Sequence, residues 1–521
     1  ADEHGRLVYV RAEIVLDGGA YTSSTPAVVG NATTLGVGPY AVPNVAIDCW
    51  GVFTNNPPCG AMRGFGAVQA AFAYESQMDK LAAALGMDPA EIRMRNGLVQ
   101  GDRIATGQLV DAPAPVAELV RRVRDLPLPR VVEPGRVVEP GRVVEPGRVA
   151  EPLATPDPRS LPGGVGNTTH GEGVRRGVGY GVGLKNVGFS EGFDDYSTAR
   201  VAVEVVAGEP VVTVHTAAVE VGQGLVTLQS QIARTELGIA AVNVTAADTR
   251  VGSAGSTSAS RQSYVTGGAV QAACREVAAE LLARAAGMAE AGLHGEQGEH
   301  GEYGEYGELG PSVVEQGPSA FEPVEALRLR DGAVVDASGA LVATVAELVG
   351  ADRVERTVEW RHRPTTAIDP ETGQGDAHVQ FAFAAHRAVV DVDVELGLVK
   401  VVALDCAQDV GHALNPDQVL GQIHGGSAQG LGLAVMEEIQ VVDGLVRNPS
   451  FTDYLIPTIL DMPPMRVEVL ELPDPHAPYG LRGVGEPPTL SSTPAIVAAI
   501  RDATGLDLTR VPVRPEHLTG T

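Results

Sequence analysis

The sequence has few cysteines, few lysines and no long apolar run. Its four cysteines are widely spaced and form no Cys-x-x-Cys pair, so they cannot assemble an iron–sulfur or zinc site from neighbouring ligands. We expect them to be reduced thiols, as in a cytoplasmic protein. No stretch of eighteen apolar residues is present, and the N-terminus lacks a signal-peptide pattern. Membrane insertion and secretion are therefore not expected.

Basic residues are scarce relative to acidic ones. The chain has 38 lysines and arginines against 65 aspartates and glutamates, which gives a formal net charge of −27. Because nucleic-acid binding requires a basic face that displaces counterions, no nucleic-acid partner is expected. With 521 residues, 44% of them hydrophobic, the chain is long and apolar enough to form more than one globular domain.

Two low-complexity stretches divide the chain. A repeated Arg-Val-Val-Glu-Pro-Gly hexapeptide places a proline at every sixth position, which excludes a helix and predicts an extended linker over residues 127–165. Glycine–glutamate repeats predict a disordered insertion at about 290–318. The remaining sequence is predicted to form two domains, residues 1–126 and residues 166–521.

Helical and strand patterns alternate outside these stretches. Their order is mixed and lacks regular strand–helix–strand units, which favours an α+β architecture with mixed sheets. Asp88 followed by Pro89 predicts the start of a short helix. The other predicted elements are helices over residues 68–85, 225–237 and 266–286 and strand pairs over residues 199–215 and 384–402.

One carboxylate, Glu486, stands in the run Gly-Val-Gly-Glu-Pro-Pro-Thr. The flanking glycines and prolines predict a rigid, irregular loop that projects the side chain into a cavity or into water. Downstream, Thr493 and Pro494 predict the N-cap and first residue of a helix that ends at Gly505. An acid on a rigid loop beside a helix N-terminus suits a catalytic base, and an ordinary loop glutamate is the alternative.

Four glycine-rich segments are predicted to be loops that run into helices. Loops of this kind point backbone N–H groups at an anion, and the dipole of the following helix adds attraction. None has the pattern of a Rossmann dinucleotide site or a P-loop. Each alone is compatible with a tight turn, but together they predict one large, polar, phosphate-bearing ligand. They cover residues 55–69, 220–224, 252–261 and 421–432.

Four motifs resemble, in order and spacing, those of the molybdopterin-binding subunit of the xanthine dehydrogenase family, in its bacterial separate-chain form. They are Gly-Ala-Met-Arg-Gly-Phe-Gly at 60–66, Glu-Val-Gly-Gln-Gly at 220–224, Gly-Ser-Thr-Ser-Ala-Ser at 255–260 and Gly-Glu-Pro-Pro at 485–488. The resemblance covers nearly the whole chain outside the low-complexity stretches. It implies that residues 1–126 are the C-terminal part of a first molybdopterin-binding domain and residues 166–521 a second one.

The resemblance also implies cofactors and partners. Molybdenum would be held by a pterin dithiolene, with or without a cytosine dinucleotide extension, and no side chain of the protein would bind the metal. Iron–sulfur clusters and FAD would reside on partner subunits of a higher oligomer.

Individual roles follow from the same motifs. The resemblance implies that Glu486 is the general base that deprotonates the attacking hydroxyl group, and that the Arg63 amide lies near the metal. Phe65 would pack against a flat heteroaromatic substrate, with a core phenylalanine as the alternative. Cofactor contacts are implied for Arg63, Gly64, Gly222, Gln223, Gly224, Ser256, Ser258, Ser260, Gln429 and Gly485.

Two further residues concern the substrate. Lys185 is one of only three lysines, and the resemblance places its segment in the substrate pocket. It could donate to a purine carbonyl or stabilise developing negative charge, and a surface lysine at a strand end is the alternative. Asn31 occupies the position of an arginine that orients the substrate in purine-oxidising relatives, so the chain departs from their pattern there.

The implied activity is hydroxylation of hypoxanthine and xanthine to urate, with water as the oxygen source and electrons passed to NAD or another acceptor. Alternatives are a related hydroxylase of aldehydes or other N-heterocycles, and a truncated, non-catalytic scaffold. The family carries upstream glycine-rich segments that supply a glutamine near the metal and a second substrate-binding glutamate, and this chain begins after both. We therefore expect that the chain alone does not hold a competent molybdenum site.

Overall fold

The computed structural model of the protein describes residues 1–129, 173–189, 191–294, 312–313 and 327–520. Within them the chain forms ten α-helices: α1 (Thr25–Thr34), α2 (Ala67–Leu85), α3 (Pro89–Asn96), α4 (Val116–Asp125), α5 (Leu225–Leu237), α6 (Gln262–His294), α7 (Val345–Val349), α8 (Pro416–Val435), α9 (Pro487–Thr504) and α10 (Pro515–Thr519). The same residues contain sixteen strands: β1 (Val10–Gly19), β2 (Val45–Phe53), β3 (Val174–Val187), β4 (Tyr196–Val206), β5 (Glu209–Thr216), β6 (Val242–Thr245), β7 (Ser312–Val313), β8 (Arg328–Arg330), β9 (Ala333–Val335), β10 (Leu341–Thr344), β11 (Val354–Arg361), β12 (Gln380–Asp393), β13 (Leu398–Asp409), β14 (Val441–Val442), β15 (Leu445–Val446) and β16 (Val467–Leu470).

Two mixed sheets carry most of the fold. A four-stranded sheet has the order β16-β13-β12-β3, with β16 parallel to β13 and the other pairs antiparallel. A five-stranded sheet has the order β6-β5-β4-β11-β7, with β6 and β7 parallel to their neighbours. Helices pack on both sheets without regular βαβ units. The predicted α+β class with mixed sheets is therefore confirmed.

Several predicted elements appear where their local signals place them. Helices α2 and α5 match the predictions, and each ends at a left-handed glycine, Gly86 or Gly238. Asp88 caps α3, because its side chain accepts hydrogen bonds from the backbone N–H groups of Ala90 and Glu91. Both predicted strand pairs form as antiparallel hairpins, β4–β5 and β12–β13.

The predicted start of the last long helix is wrong. Helix α9 begins at Pro487, with Glu486 as its N-cap residue, and Pro494 lies in its interior. An internal proline loses one backbone hydrogen bond and costs about 3 kcal/mol in an isolated helix. Here the helix is buried along almost its whole length, so packing outweighs that cost. The predicted end at Gly505 is confirmed.

The fourth predicted loop is also wrong, because residues 421–432 lie inside α8. Its glycines lie at the contact with α9, where a Cβ on Gly426 would be 2.9 Å from Pro488 and one on Gly430 would overlap the side chain of Ser492. Glycine here permits two helix backbones to approach closely. Interior helical amides bond within the helix and cannot cradle an anion.

Parts of the predicted insertion at 290–318 are regular structure. Helix α6 continues to His294, eight residues past the predicted end at Ala286, and β7 is formed by Ser312–Val313. The rest of the insertion, and all but residues 127–129 of the predicted linker over 127–165, lie outside the described residues.

A glycine stripe on β3 seats α9 directly on the four-stranded sheet. Alternate residues Gly177, Gly179, Gly181 and Gly183 face the helix, and a Cβ on any of the first three would overlap α9 backbone atoms. The close approach fixes the N-terminus of α9 over the end of β3.

The cores join the two predicted domains. One hydrophobic cluster contains Tyr40 and Ile92 from the N-terminal part together with Phe383 of β12 and Leu490 of α9. A second cluster lies between α6 and the five-stranded sheet. The N-terminal part therefore packs on the same sheet as α9, which brings residues 61–65 next to Glu486.

Candidate functional site

A cavity of about 570 Å³ lies where the glycine-rich segments meet. This volume is in the range typical of small-molecule sites. Stretches of the chain that are distant in sequence line it together. They are residues 61–65, 221–228, 257–263, 410–422 and 481–486. The structure thus brings together residues from all four predicted glycine-rich segments and the predicted catalytic base, although the fourth segment contributes only Gln422 of α8.

Glu486 lies in the cavity wall and is only 6% exposed. Its Oε1 accepts a hydrogen bond from the Gly64 amide at 3.1 Å, and its Oε2 accepts one from Ser260 Oγ at 3.2 Å. The next two residues, Pro487 and Pro488, have no backbone N–H, and the carboxylate makes no capping bond to its own helix. The side chain is therefore held by the cavity wall instead of being used as a helix cap.

The side chain of Arg63 ties three segments together. Its Nε donates to the carbonyl oxygen of Gly485, and its Nη2 donates to the carbonyl oxygen of Gln422 at 2.9 Å. Burial lowers the pKa of this guanidinium, and the charge of Glu486 opposes the shift. The sequence predicted a role for the Arg63 amide only. The structural role of its side chain had no local signal, because its partners lie more than 350 residues away in sequence.

Phe65 lines the cavity in a strained backbone conformation. Its φ is 28°, between Gly64 at 94° and Gly66 at 78°. A non-glycine residue in this region costs of order 1–3 kcal/mol, and such residues cluster at functional sites. A Cβ on Gly66 would overlap the carbonyl oxygen of Val28, so glycine is required there. Phe65 is half-buried and faces the cavity, which argues against its being a core phenylalanine.

The second motif lines the cavity, but its amides are already bonded. The carboxylate of Glu220 accepts hydrogen bonds from the backbone N–H groups of Gly222 at 2.7 Å and Gly224 at 3.0 Å. These bonds contribute to holding the pKa of Glu220 below its usual range despite partial burial. The predicted anion-cradling role of these two amides is therefore not seen. Gly222, Gln223 and Gly224 remain cavity-lining residues.

The third motif is a loop held from behind by a buried ion pair. Arg261 Nε donates to Asp195 Oδ2 at 2.8 Å, and Arg261 Nη1 donates to the carbonyl oxygen of Ser256 at 2.9 Å. The hydroxyls of Ser256 and Ser258 lie 2.6 Å apart. Ser258 and Ser260 line the cavity, whereas Ser256 supports the loop. Arg261 was not predicted to have a role, since its partner Asp195 lies 66 residues away.

Five predicted site residues do not line the cavity. Gly64 and Ser256 act as described above, through the bond to Glu486 and the support of the serine loop, and the other three are Gln429, Asn31 and Lys185. Gln429 lies within α8, away from both helix ends, and its side chain is half-buried. Asn31 lies on α1 behind Gly66, with its Oδ1 buried and without a hydrogen-bond partner among the described residues. Lys185 is fully buried on β3, so the alternative of a surface lysine is wrong. Its Nζ lies 3.7 Å from Glu486 Oε2.

The cavity is also lined by polar residues for which the sequence predicted no role. Asn415 caps α8, with its side chain accepting a hydrogen bond from the Gln418 amide at 3.1 Å. His412 Nδ1 lies 3.1 Å from Glu471 Oε2. An Asn-Pro pair before a helical pattern is a usable N-cap signal, but nothing local indicates that it faces a ligand cavity.

The donor set suits a large polar ligand with anionic groups. Amide and hydroxyl donors come from Gln223, Ser258 and Gln422, and apolar walls come from Phe65 and Val221. Among the residues that the structure describes, no group of three His, Cys, Asp or Glu side chains is placed to hold a metal ion. In the same part of the chain, no helix has the length and apolarity needed to cross a membrane.

Comparison with known proteins identifies the family. The family described as molybdopterin cofactor-binding domain matches residues 163–310 and 315–463, and a second family of the same description matches residues 1–97. The chain is 30% identical to a probable xanthine dehydrogenase subunit of Bacillus subtilis, over 99% of this chain and 60% of that protein. It is also 30% identical to the xanthine dehydrogenase molybdenum-binding subunit of Escherichia coli O157:H7, over 89% of this chain and 54% of that protein.

A solved structure gives the same fold. The aldehyde oxidoreductase of Desulfovibrio gigas superposes with a TM-score of 0.73 at 24% identity, over the whole of this chain and 48% of that one. The chain spans about half the length of these proteins. These matches confirm the family predicted from the motifs. The chain belongs to the family of molybdopterin cofactor-binding domains and is similar to subunits named xanthine dehydrogenase.

Proposed function

We propose that the chain is the molybdenum-binding part of a purine hydroxylase that converts hypoxanthine and xanthine to urate. The observation that carries the proposal is the carboxylate of Glu486, buried in the wall of a ligand-sized cavity beside Phe65 and Arg63. The names of relatives at 30% identity support the purine substrate class.

The cavity residues would hold a molybdenum–pterin cofactor, with or without a cytosine dinucleotide extension. When bound, this group supplies the redox chemistry, in which the substrate gains an oxygen from water and gives up two electrons. Gln223 and Ser258 would donate to its polar groups, and the Ser260 hydroxyl, whose hydrogen is donated to Glu486, would be available to it only as an acceptor. The Gly64 and Ser260 hydrogen bonds orient the Glu486 side chain toward the same space.

Glu486 would act as the general base. Its two hydrogen bonds occupy two of about four lone-pair positions on the carboxylate, which leaves acceptor capacity for a proton. A well-placed base contributes roughly 10²–10⁴ in rate. Phe65, fixed in its strained conformation, would pack against the flat ring of the substrate.

The electrons would leave through iron–sulfur and FAD subunits of a larger, cytoplasmic complex. The assembled complex should contain one molybdenum per copy of the chain. A purified complex without molybdenum would contradict the proposed cofactor.

Asn31 supports a second candidate, a hydroxylase of aldehydes or of other N-heterocycles. Purine-oxidising relatives carry a substrate-orienting arginine at this position, and the amide of asparagine cannot replace its bidentate, charged contacts. The described part of the chain shows Asn31 behind Gly66 and away from the cavity lining.

A substrate panel on the purified complex separates these candidates. Hypoxanthine, xanthine, nicotinate and a simple aldehyde are compared by kcat/KM, with molybdenum content measured in parallel. Xanthine or hypoxanthine should give the highest value. A preference for the aldehyde or nicotinate would establish the second candidate. A complex that contains molybdenum but shows no cyanide-sensitive turnover would indicate a non-catalytic scaffold.

A further inference from the structure

Lys185 is a buried cation beside the carboxylate of the proposed base. Its side chain has no solvent exposure, and Nζ lies 3.7 Å from Glu486 Oε2. The ammonium also donates to the main-chain oxygen of Asn186 at 2.9 Å and to its side-chain oxygen. Lys185 does not line the cavity, whereas Glu486 does. A ligand in the cavity would therefore meet Glu486 and not Lys185.

Of the charged groups that face Lys185, Glu486 is the one with the opposite charge, and it therefore acts as the counter-ion. Burial lowers the pKa of Lys185, and the charge of Glu486 opposes that shift. The other ionisable groups that face the pair are Arg63 and His378. Burial, with a further contribution from Lys185, lowers the pKa of His378 to about 3, so His378 is neutral near pH 7. Arg63 is itself positively charged, so it cannot neutralise the charge of Lys185.

Burying an isolated ammonium is so unfavourable that it must be paired or lose its proton. Glu486 has the matching requirement, since it is almost fully buried and is bonded otherwise only by neutral donors, Gly64 and Ser260. Each of the two groups therefore stabilises the charged form of the other. The glycine stripe of β3 enforces their approach, because it seats α9 directly over the strand that carries Lys185.

We infer that Lys185 is a positioning residue that serves as the buried counter-charge of Glu486 and holds its Oε2 at the rear of the site, and that it is not a substrate contact. Its catalytic consequence rests on the proposed function, but the charge pairing itself does not. A substrate contact at Lys185 would change KM. A residue that acts through Glu486 changes kcat and its dependence on pH.

The pairing is tested first on the full chain without cofactor, by a double-mutant cycle of Lys185→Met and Glu486→Gln. Urea unfolding midpoints are measured at pH 8. Lys185→Met should lower the midpoint, because it removes the direct ion-pair partner of a buried carboxylate and leaves only the charge of Arg63 nearby, and adding Glu486→Gln should restore much of the loss. Lys185→Arg keeps the positive charge, so its unfolding midpoint should lie closer to that of the unsubstituted protein.

A matched control is the exposed pair Lys80 and Asp507, whose Nζ–Oδ1 distance is 3.2 Å. Lys80→Met and Asp507→Asn should have nearly additive effects, because exposed pairs are weakly coupled. Additive effects of Lys185→Met and Glu486→Gln as well would overturn the inference. If Lys185→Met does not fold, recovery of folding in the double variant serves as the same test.

The second test uses the assembled, molybdenum-loaded complex with its best substrate. Lys185→Met should move the acidic limb of the kcat–pH profile to higher pH by about one unit or more, with KM and molybdenum content unchanged. Lys185→Arg should restore the profile. A changed KM with an unmoved profile would identify a substrate contact and overturn the inference. If the complex is inactive on every substrate, the proposed function fails while the cycle on the cofactor-free chain still decides the pairing.

Discussion

Glu486 owes its position to the two residues that follow it. An N-cap glutamate with free amides in the next turn can bond back to its own helix, but Pro487 and Pro488 provide no such donors. The dipole of α9 still favours negative charge at this end. The sequence motif Glu-Pro-Pro thus leaves a carboxylate at a helix N-terminus free for other donors, and Gly64 and Ser260 are the donors that the fold supplies.

Replacing this carboxylate by its neutral isostere should abolish most turnover. Glu486→Gln keeps the shape and the acceptor for Gly64 but cannot take a proton, so kcat of the loaded complex should fall by roughly 10²–10⁴. Molybdenum content should stay the same. Glu516→Gln, at a half-exposed position on α10, is the control and should be neutral. A Glu486→Gln complex with more than a third of normal kcat would exclude Glu486 as the base.

At the scale of elements, the contact between β3 and α9 decides the geometry of the site. Glycines at the four alternate positions 177, 179, 181 and 183 leave this stretch of one face of β3 without side chains, so the helix backbone rests on the sheet. Most of α9 is also buried by β12 and α8, and the resulting rigidity suits a site whose groups must be held closely.

Adding one methyl group to this contact should destabilise the protein. A Cβ on Gly181 would overlap the carbonyl oxygen of Ser491, and overpacking of this kind typically costs about 1–3 kcal/mol. Gly181→Ala should therefore lower the free energy of unfolding measured in urea. Gly287→Ala is a matched control, because no atom lies within 4 Å of a Cβ there and the helix of α6 should gain about 0.5–1 kcal/mol. Equal effects of the two substitutions would refute the close-packing explanation.

A buried histidine links three of these elements and makes their packing sensitive to acid. His386 of β12 bonds Ser491 of α9 through Nδ1 and Ser427 of α8 through Nε2, each at 2.8 Å. Burial lowers the pKa of His386 to about 3. The folded protein keeps this ring neutral down to that pH, while the unfolded chain protonates it near pH 6.5. Acid therefore favours the unfolded chain, and this contribution is fully present only above pH 6.5.

The expected loss from His386 is up to about 1.4 kcal/mol per pH unit below 6.5. It is measured as the difference in free energy of unfolding between the protein and His386→Asn at pH 7.5, 6.5 and 5.5. This difference should shrink between pH 6.5 and 5.5. His378, also buried with its pKa lowered to about 3, remains in both proteins and cancels in the comparison. A difference that is constant with pH would show that His386 does not titrate on unfolding.

At the scale of the whole molecule, the cavity lies at the junction of the two predicted domains. Arg63 and Gly64 come from the N-terminal part and bond to Gly485, Gln422 and Glu486 in the C-terminal part. The site therefore forms only where the two parts pack together. A substitution that weakens this packing should displace Glu486 even if the substituted residue does not contact it.

The large negative charge should make the stability of the whole molecule depend on salt. With a formal net charge of −27, self-repulsion opposes the compact state. Raising NaCl from about 10 mM to about 150 mM shortens the screening length from roughly 30 Å to roughly 8 Å, so the melting temperature of the chain should rise. Sucrose at the same osmolality is the control for non-ionic effects. A melting temperature that falls over this salt range would mean that attractive ion pairs outweigh the repulsion.

The sequence by itself determined the ends of α2 and α5 and the two hairpins, through caps, turn residues and propensities within a few positions. The order and spacing of four motifs along the chain predicted the family, and the role of Glu486 as a base stays a prediction. Local signals failed where packing decides: the start of α9 seven residues before Pro494, and the helical state of residues 421–432. In both, burial against other elements outweighs the conformational preference of proline or glycine.

Only the tertiary structure decided which side chains meet. Glu220 satisfies the amides of Gly222 and Gly224, Gln429 stays in α8 outside the cavity, and Arg261 supports the serine loop from behind. Lys185 and Glu486 lie 301 positions apart in the sequence, and their charges face each other only because a glycine-lined strand admits a helix backbone. Burial and charge pairing are properties of packed surfaces, and no local pattern specifies them.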